Sequence, residues 1–203
     1  AGDVAGRDDE IGHVEDDAMG KVIAGTTMSL DGFMNDRDRN IAALYGDFQE
    51  LRAAPSFQEI IRQTGAVVMG RRTFAMGDPD LYAQNYEFQV PIFVVTHSIP
   101  DRHPQESDTL KFTFVTDGIE SAISQAKEAA GGRDVQLVGG ASTIKQALNA
   151  GLCDELHIDI IPVLLGDGLR LFEGIDMDRV RLERLKVEEL TSTRTSITFR
   201  VIE

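Results

Sequence analysis

Short runs of β-branched and apolar residues alternate along this chain with stretches whose apolar positions recur every three or four residues. The first kind marks strands, predicted over residues 21–30, 66–69, 91–96, 110–115, 135–138, 155–163, 179–188 and 195–202. Val67-Val68-Met69, Ile92-Phe93-Val94-Val95 and Leu137-Val138 are unbroken apolar runs, as suits strands covered on both faces. The last segment differs. Thr195, Ile197, Phe199 and Val201 alternate with polar neighbours, the pattern of a half-buried or edge strand.

Helix starts are legible from their caps. Asp47-Phe48-Gln49-Glu50, Ser56-Phe57-Gln58-Glu59 and Asp117-Gly118-Ile119-Glu120 each offer an N-cap oxygen with a carboxylate three residues on. Pro55 breaks or restarts the first of these helices. Ile119, Ala122, Ile123, Ala126 and Ala130 form one apolar stripe, closed by Gly131-Gly132. A shorter helix follows Gly140, turning Ile144, Ala147 and Leu148 inward and ending at Gly151. Strands alternating with helices, then strands in succession, predict an α/β domain with a mostly parallel sheet and an antiparallel end.

Length and charge narrow the picture. The 203 residues suit one domain, placed at 19–203, preceded by an acidic tail or partner-clasping arm at 1–18 that carries seven acids against Arg7. A net charge of −14 opposes binding to phosphate backbones or anionic lipid, so neither nucleic acid nor a membrane surface is expected as a partner. No run reaches the length of a membrane span. A single cysteine, Cys153, gives no internal disulfide and no metal-ligand set; it reads as a buried structural thiol in a reducing cytoplasm. The four histidines lack metal-ligand spacing, so no metal is expected. Asp36-Arg37-Asp38-Arg39-Asn40 opens like a calcium loop, but Ile41 stands where glycine is required and Asp47 closes the twelfth position. A polar loop near the substrate mouth is the expected role there.

Chemistry concentrates at three strand ends. Val138-Gly139-Gly140-Ala141-Ser142-Thr143 runs from a strand through two glycines into a helix, which makes either a tight turn or a cradle for a pyrophosphate. Gly70-Arg71-Arg72-Thr73 sets paired guanidinium groups at another strand end, either on a solvated face or against phosphate. Thr96-His97-Ser98 closes a third with hydrogen-bonding side chains. Ligands of open α/β sheets bind at strand carboxyl ends, so the coincidence outweighs any one motif.

Met28–Met34 (MSLDGFM), Gly70–Phe74 (GRRTF), Val94–Ser98 (VVTHS), Val138–Thr143 (VGGAST) and Gly151–Phe172 (GLCDELHIDIIPVLLGDGLRLF) together resemble the dihydrofolate reductase superfamily. The closer likeness is to the branch that shares the reductase domain of bacterial riboflavin biosynthesis, and it covers residues 21–203. It implies an eight-stranded, mostly parallel sheet with helices on both faces and NADPH across the strand ends. By this resemblance Arg71, Arg72 and Thr73 sit near the adenosine-side phosphates, and Thr96, His97 and Ser98 flank the 2′-phosphate. Gly139, Gly140, Ala141 and Ser142 then cover the pyrophosphate, with Thr143 beside them, while Thr26 and Thr27 lie against the nicotinamide carboxamide. Gly166-Asp167-Gly168 is either a plain turn between strands or, as the resemblance implies, a loop close to the active cleft or a subunit contact.

The departures from the family pattern also matter. The chain has no Trp, and Val138 occupies the place where the riboflavin reductase usually carries a glutamate. One cysteine and no H-x-E signature leave no zinc-deaminase site in this sequence. The resemblance implies hydride transfer to a pterin- or aminopyrimidine-like acceptor, of the 5-amino-6-(5-phosphoribosylamino)uracil reductase kind, by a homodimer. Asp47, then Asp31, then an ordered water are the expected proton sources. The rivals are a nucleotide-binding protein without catalysis and a flavin-using relative.

Overall fold

The computed structural model describes residues 20–202, so the acidic segment 1–18 lies outside the described residues. Eight strands form one sheet: β1 (Val22–Ser29), β2 (Thr64–Gly70), β3 (Ile92–Val95), β4 (Phe112–Val115), β5 (Asp134–Val138), β6 (Glu155–Ile161), β7 (Arg181–Glu189) and β8 (Thr195–Ile202). Their order is β4-β3-β2-β5-β1-β6-β8-β7. The pairs up to β1–β6 are parallel, and β6–β8 and β7–β8 are antiparallel. Six α-helices accompany it among the described residues: α1 (Phe48–Ala53), α2 (Pro55–Gln63), α3 (Arg71–Phe74), α4 (Tyr82–Asn85), α5 (Ile119–Ala130) and α6 (Ala141–Asn149). This is the expected eight-stranded mixed architecture.

Alternate residues of the central strands serve two cores. Ala66 and Val68 join Val135, Leu137 and the inward stripes of α5 and α6 on one face. Val67 and Met69 join Ile92, Val94, Phe74, Tyr82 and Phe88 on the other. That division explains the unbroken apolar runs, since both sides of β2 and β3 exclude water. Between Thr64 at the start of β2 and the carboxyl ends, β2 and β3 carry no polar side chain.

The helix starts depart from expectation. Asp47 precedes α1 but makes no capping bond, because its carboxylate is engaged by Arg194. Helix α2 begins at Pro55 after an extended Ala54, so Ser56 lies inside the helix. This is the restart that Pro55 implied, since proline fits the first helical turn, where its missing N–H costs nothing. Gly118, not Asp117, stands at the N-cap of α5, with φ 111°. Gly131 closes that helix in the left-handed conformation, as expected. The alternating strand β8 is half-buried but interior to the sheet; the edge belongs to β7.

Candidate active site

The parallel strands end at one open cleft of about 2390 Å³. This exceeds the roughly 300–1,000 Å³ of a single-ligand pocket. Strand β1 lies between β5 and β6, while the chain runs outward to β4 before returning to β5. The cleft therefore opens at the switch point where crossovers diverge to either side.

One lobe is built from the ends of β2, β3 and β5. Residues 70–73, 96–98 and 139–143 all line it. Arg71, at the start of α3, reaches across to the end of β3, donating to Ser98 O at 2.7 Å and Ser98 Oγ at 2.9 Å. Thr96 Oγ1 donates to Ser98 O at 2.8 Å, which fixes the same turn. One positive charge is thus locked onto the β3 end, whereas Arg72 and His97 are exposed on the cleft wall. Gly139 and Gly140 have φ of 62° and 67°, a region that side chains disfavour. A Cβ on either would meet Thr73 at 3.0–3.1 Å. At Gly70 a Cβ would come within 2.6 Å of Thr143 Oγ1. The strand ends therefore fit against each other only as glycines, and α6 presents its first N–H groups beside them. Chemically this arrangement can accommodate an anion.

The second lobe runs under α1 and α2. Its floor carries Gly25 and Thr27 of β1, Glu155, His157 and Asp159 of β6, and Ser196 and Thr198 of β8; Tyr45, Phe48, Phe57 and Tyr86 supply aromatic walls. Thr26 lines the same cleft beside Thr27.

Behind that floor sits Arg194, 1% exposed. Its guanidinium donates to Asp47 Oδ2 (Nε, 3.0 Å) and Oδ1 (Nη2, 2.7 Å), and to Leu44 O (Nη2, 3.0 Å). Nη1 donates to Thr27 Oγ1 (2.8 Å) and Asp159 Oδ2 (3.1 Å). The five contacts match the five guanidinium donors, as a buried cation requires.

This arrangement decides where the carboxylates go. The Asp47 side chain is buried, 5% exposed, and does not line the cleft. Arg194, followed by Thr191, holds its carboxyl below the usual range against the opposing effect of burial. Asp31 also lies off the cleft wall. Ser29 Oγ donates to it at 2.6 Å, and the Leu165 and Gly166 N–H groups donate at 3.1 and 2.8 Å, lowering its pKa to about 2. It clasps the loop after β6 to the turn after β1. Gly168 of that loop is pressed on Asn35, and Asp167 and Gly168 reach the cleft, so this loop is more than a plain turn. Asp36 accepts from the N–H groups of Asp38 and Asn40, ordering the polar loop opposite.

Asp159, unlike Asp47 and Asp31, does face the cleft, on the floor of the second lobe. Its side chain is 19% exposed, and burial raises its pKa despite Ser196 and Arg194. Glu155, four residues earlier, accepts from His157 Nε2 at 3.0 Å and from Lys21 at 2.9 Å, and its pKa falls to about 2. Sequence reasoning passed over Arg194 and Asp159. The period-two polar stripe Glu155-His157-Asp159 was a signal for the latter. Arg194 carries no local signal, because its partners lie 35 to 167 residues away.

Known proteins fit this picture. The uncharacterized protein YyaP of Bacillus subtilis is 25% identical over 189 residues, covering 88% of this chain and 94% of that one. A Shewanella sp. PV-4 protein named for riboflavin biosynthesis superposes with a TM-score of 0.68 at 22% identity, covering 90% of this chain and 99% of that one. Dihydrofolate reductase from Enterococcus faecalis, complexed with NADP(H), gives a TM-score of 0.59 at 17% identity, covering 91% and 98%. These likenesses establish the dihydrofolate-reductase-like fold. The match to the RibD C-terminal domain runs over residues 20–195, and the chain belongs to that family.

Proposed function

We propose that this protein is an NADPH-dependent reductase that delivers a hydride to a small heterocyclic acceptor, pterin- or aminopyrimidine-like. One observation carries the reading: three parallel strand ends converge on one glycine-lined, arginine-bearing lobe, next to a second lobe floored by polar side chains. The residues present fit a dinucleotide phosphate, because the left-handed Gly139-Gly140 turn keeps side chains away from the α6 N-terminus. The Enterococcus enzyme, a reductase complexed with NADP(H) in the same fold, supports this cofactor.

In this reading residues 139–143 hold the pyrophosphate, and Arg71, Arg72 and residues 96–98 hold the adenosine-side phosphates. Thr26 and Thr27 lie beside the nicotinamide, which supplies the hydride when bound. The protein's own task is to orient the acceptor and provide a proton. Asp47 and Asp31 are spent on Arg194 and on the loop clasp, so Asp159 takes the acid role. Burial favours its protonated form, Arg194 fixes its position, and it faces the acceptor lobe. Calorimetric titration tests the cofactor assignment. NADPH should bind at least about tenfold more tightly than NADH, roughly 1.4 kcal/mol; absence of binding by either overturns the reading.

A further inference from the structure

Gly25 leaves a notch in the floor of the second lobe. It is not one of the left-handed glycines, and a Cβ built on it would meet only Gln136 Oε1, at 3.8 Å. Neither backbone nor packing therefore demands glycine there. Two neighbours wall the notch. His157 stands opposite Gly25 in the β1–β6 register, and Gln136, opposite Ile23 in the β1–β5 register, shares the face. All three line the cleft.

Both walls hold unspent hydrogen-bonding groups. Gln136 is 5% exposed, yet its side-chain amide has no hydrogen-bond partner among the described residues. Its register neighbours Ile23 and Val67 are apolar and offer it none. Buried polar side chains are otherwise paired, so an idle amide at a cleft marks a place for a ligand. His157 Nε2 lies 3.0 Å from Glu155. An ionised carboxylate only accepts, so the proton sits on Nε2, and Nδ1 of the neutral ring is left as an acceptor.

From this we infer that Gln136 and His157 read one edge of the hydride acceptor, and that this edge is a lactam, a ring N–H beside a ring C=O. The Gln136 amide both donates and accepts, so it pairs with the two lactam atoms at once. His157 Nδ1 accepts from a further N–H of the same ring, and the missing side chain of Gly25 lets that ring lie against β1. Asp159, two residues beyond His157 on the same face, is then left for the reacting edge. Oxo-bearing pyrimidines and pterins carry such an edge; pyrimidines substituted by amino groups alone do not. The inference rests on the reductase reading only in calling the ligand the acceptor. A nicotinamide carboxamide presents the same pair of atoms, and the test separates the two.

Calorimetric titration of the full chain, with and without saturating NADPH, uses diaminouracil, which has lactam edges, and triaminopyrimidine, which has none. The wild type should bind diaminouracil at least about tenfold more tightly. Gln136→Leu should weaken diaminouracil about tenfold, leaving triaminopyrimidine and NADPH unchanged. Gly25→Ala, which the packing accepts, should weaken diaminouracil by a similar factor by filling the notch, and circular dichroism verifies that both variants fold. Equal binding of the two probes, binding of neither, or diaminouracil affinity that survives either substitution overturns the proposal. So does a Gln136→Leu loss confined to NADPH, which would give the amide to the nicotinamide. A Gln136-dependent preference for diaminouracil in a chain that binds no NADPH would keep the notch and remove the reductase reading.

Discussion

Arg194 shows how one residue can organise a site it does not enter. A buried guanidinium is tolerable only with every donor engaged, and here two carboxylates, a hydroxyl and a carbonyl engage them. Arg194→Ala would strand Asp47 and unbrace Asp159. We expect it to lower stability by about 3–5 kcal/mol in urea unfolding, by the general cost of breaking a buried pair. Asp159→Asn separates catalysis from folding. With any acceptor that drives NADPH oxidation, turnover should fall about 10²–10⁴-fold while NADPH affinity holds. Unchanged turnover would remove Asp159 from the acid role. The pH dependence of stability follows from the same groups. Asp31 and Glu155 titrate near 2 when folded and Asp47 is likewise depressed, so each binds fewer protons than in the unfolded chain. Their stabilisation is complete only above about pH 5, beyond the ordinary carboxyl range, and is lost as pH falls towards about 2. Asp159 acts in the opposite sense, its raised pKa relieving a burial cost on acidification. Urea midpoints should therefore decline steeply only below about pH 4; a flat profile there would contradict the three depressed carboxyls.

At the scale of elements, the glycine turn between β5 and α6 is where local geometry and ligand chemistry coincide. Gly140→Ala places a Cβ at φ 67° and 3.1 Å from Thr73 Oγ1. The expected cost is about 1–2 kcal/mol from the left-handed backbone alone. NADPH affinity should fall as well, because the added methyl lies at the cradle; calorimetry on the folded variant measures this directly. The elements were legible wherever their signal was local. Unbroken apolar runs gave the two-sided strands β2 and β3, and Gly131 gave the end of α5. Caps were less legible, since an Asp followed by Glu three residues on is a local pattern that a distant partner can override. Asp47 is the instance: Arg194, 147 positions later, takes the carboxylate a cap would have used. The strand ends were readable as one cluster, which the structure gathers along a single cleft, because strand–glycine–helix is a local grammar. The polar floor of the second lobe was not, since β1, β6 and β8 assemble it from separated segments.

For the whole molecule, the proposed cofactor poses a charge conflict, since a chain of net charge −14 would have to hold a polyanion. The answer lies in distribution. Seven Arg and Lys side chains stand against eight Asp and Glu around the cleft, so the acid excess resides elsewhere. With the cleft near balance, discrimination must come from cations placed at particular phosphates. Arg71 is committed to Ser98, which makes it a rigid part of the lobe, while Arg72 is exposed and lines the cleft. Arg72→Gln should therefore spare NADH and weaken NADPH by about tenfold, the 1.4 kcal/mol of one lost charge-assisted contact. Added salt should narrow the wild-type preference for NADPH, because a cation at an open cleft wall is screened within a Debye length of about 8–10 Å. Equal losses for both cofactors would move Arg72 to the shared pyrophosphate. No loss for either would leave selectivity to the hydrogen bonds of Thr96, His97 and Ser98.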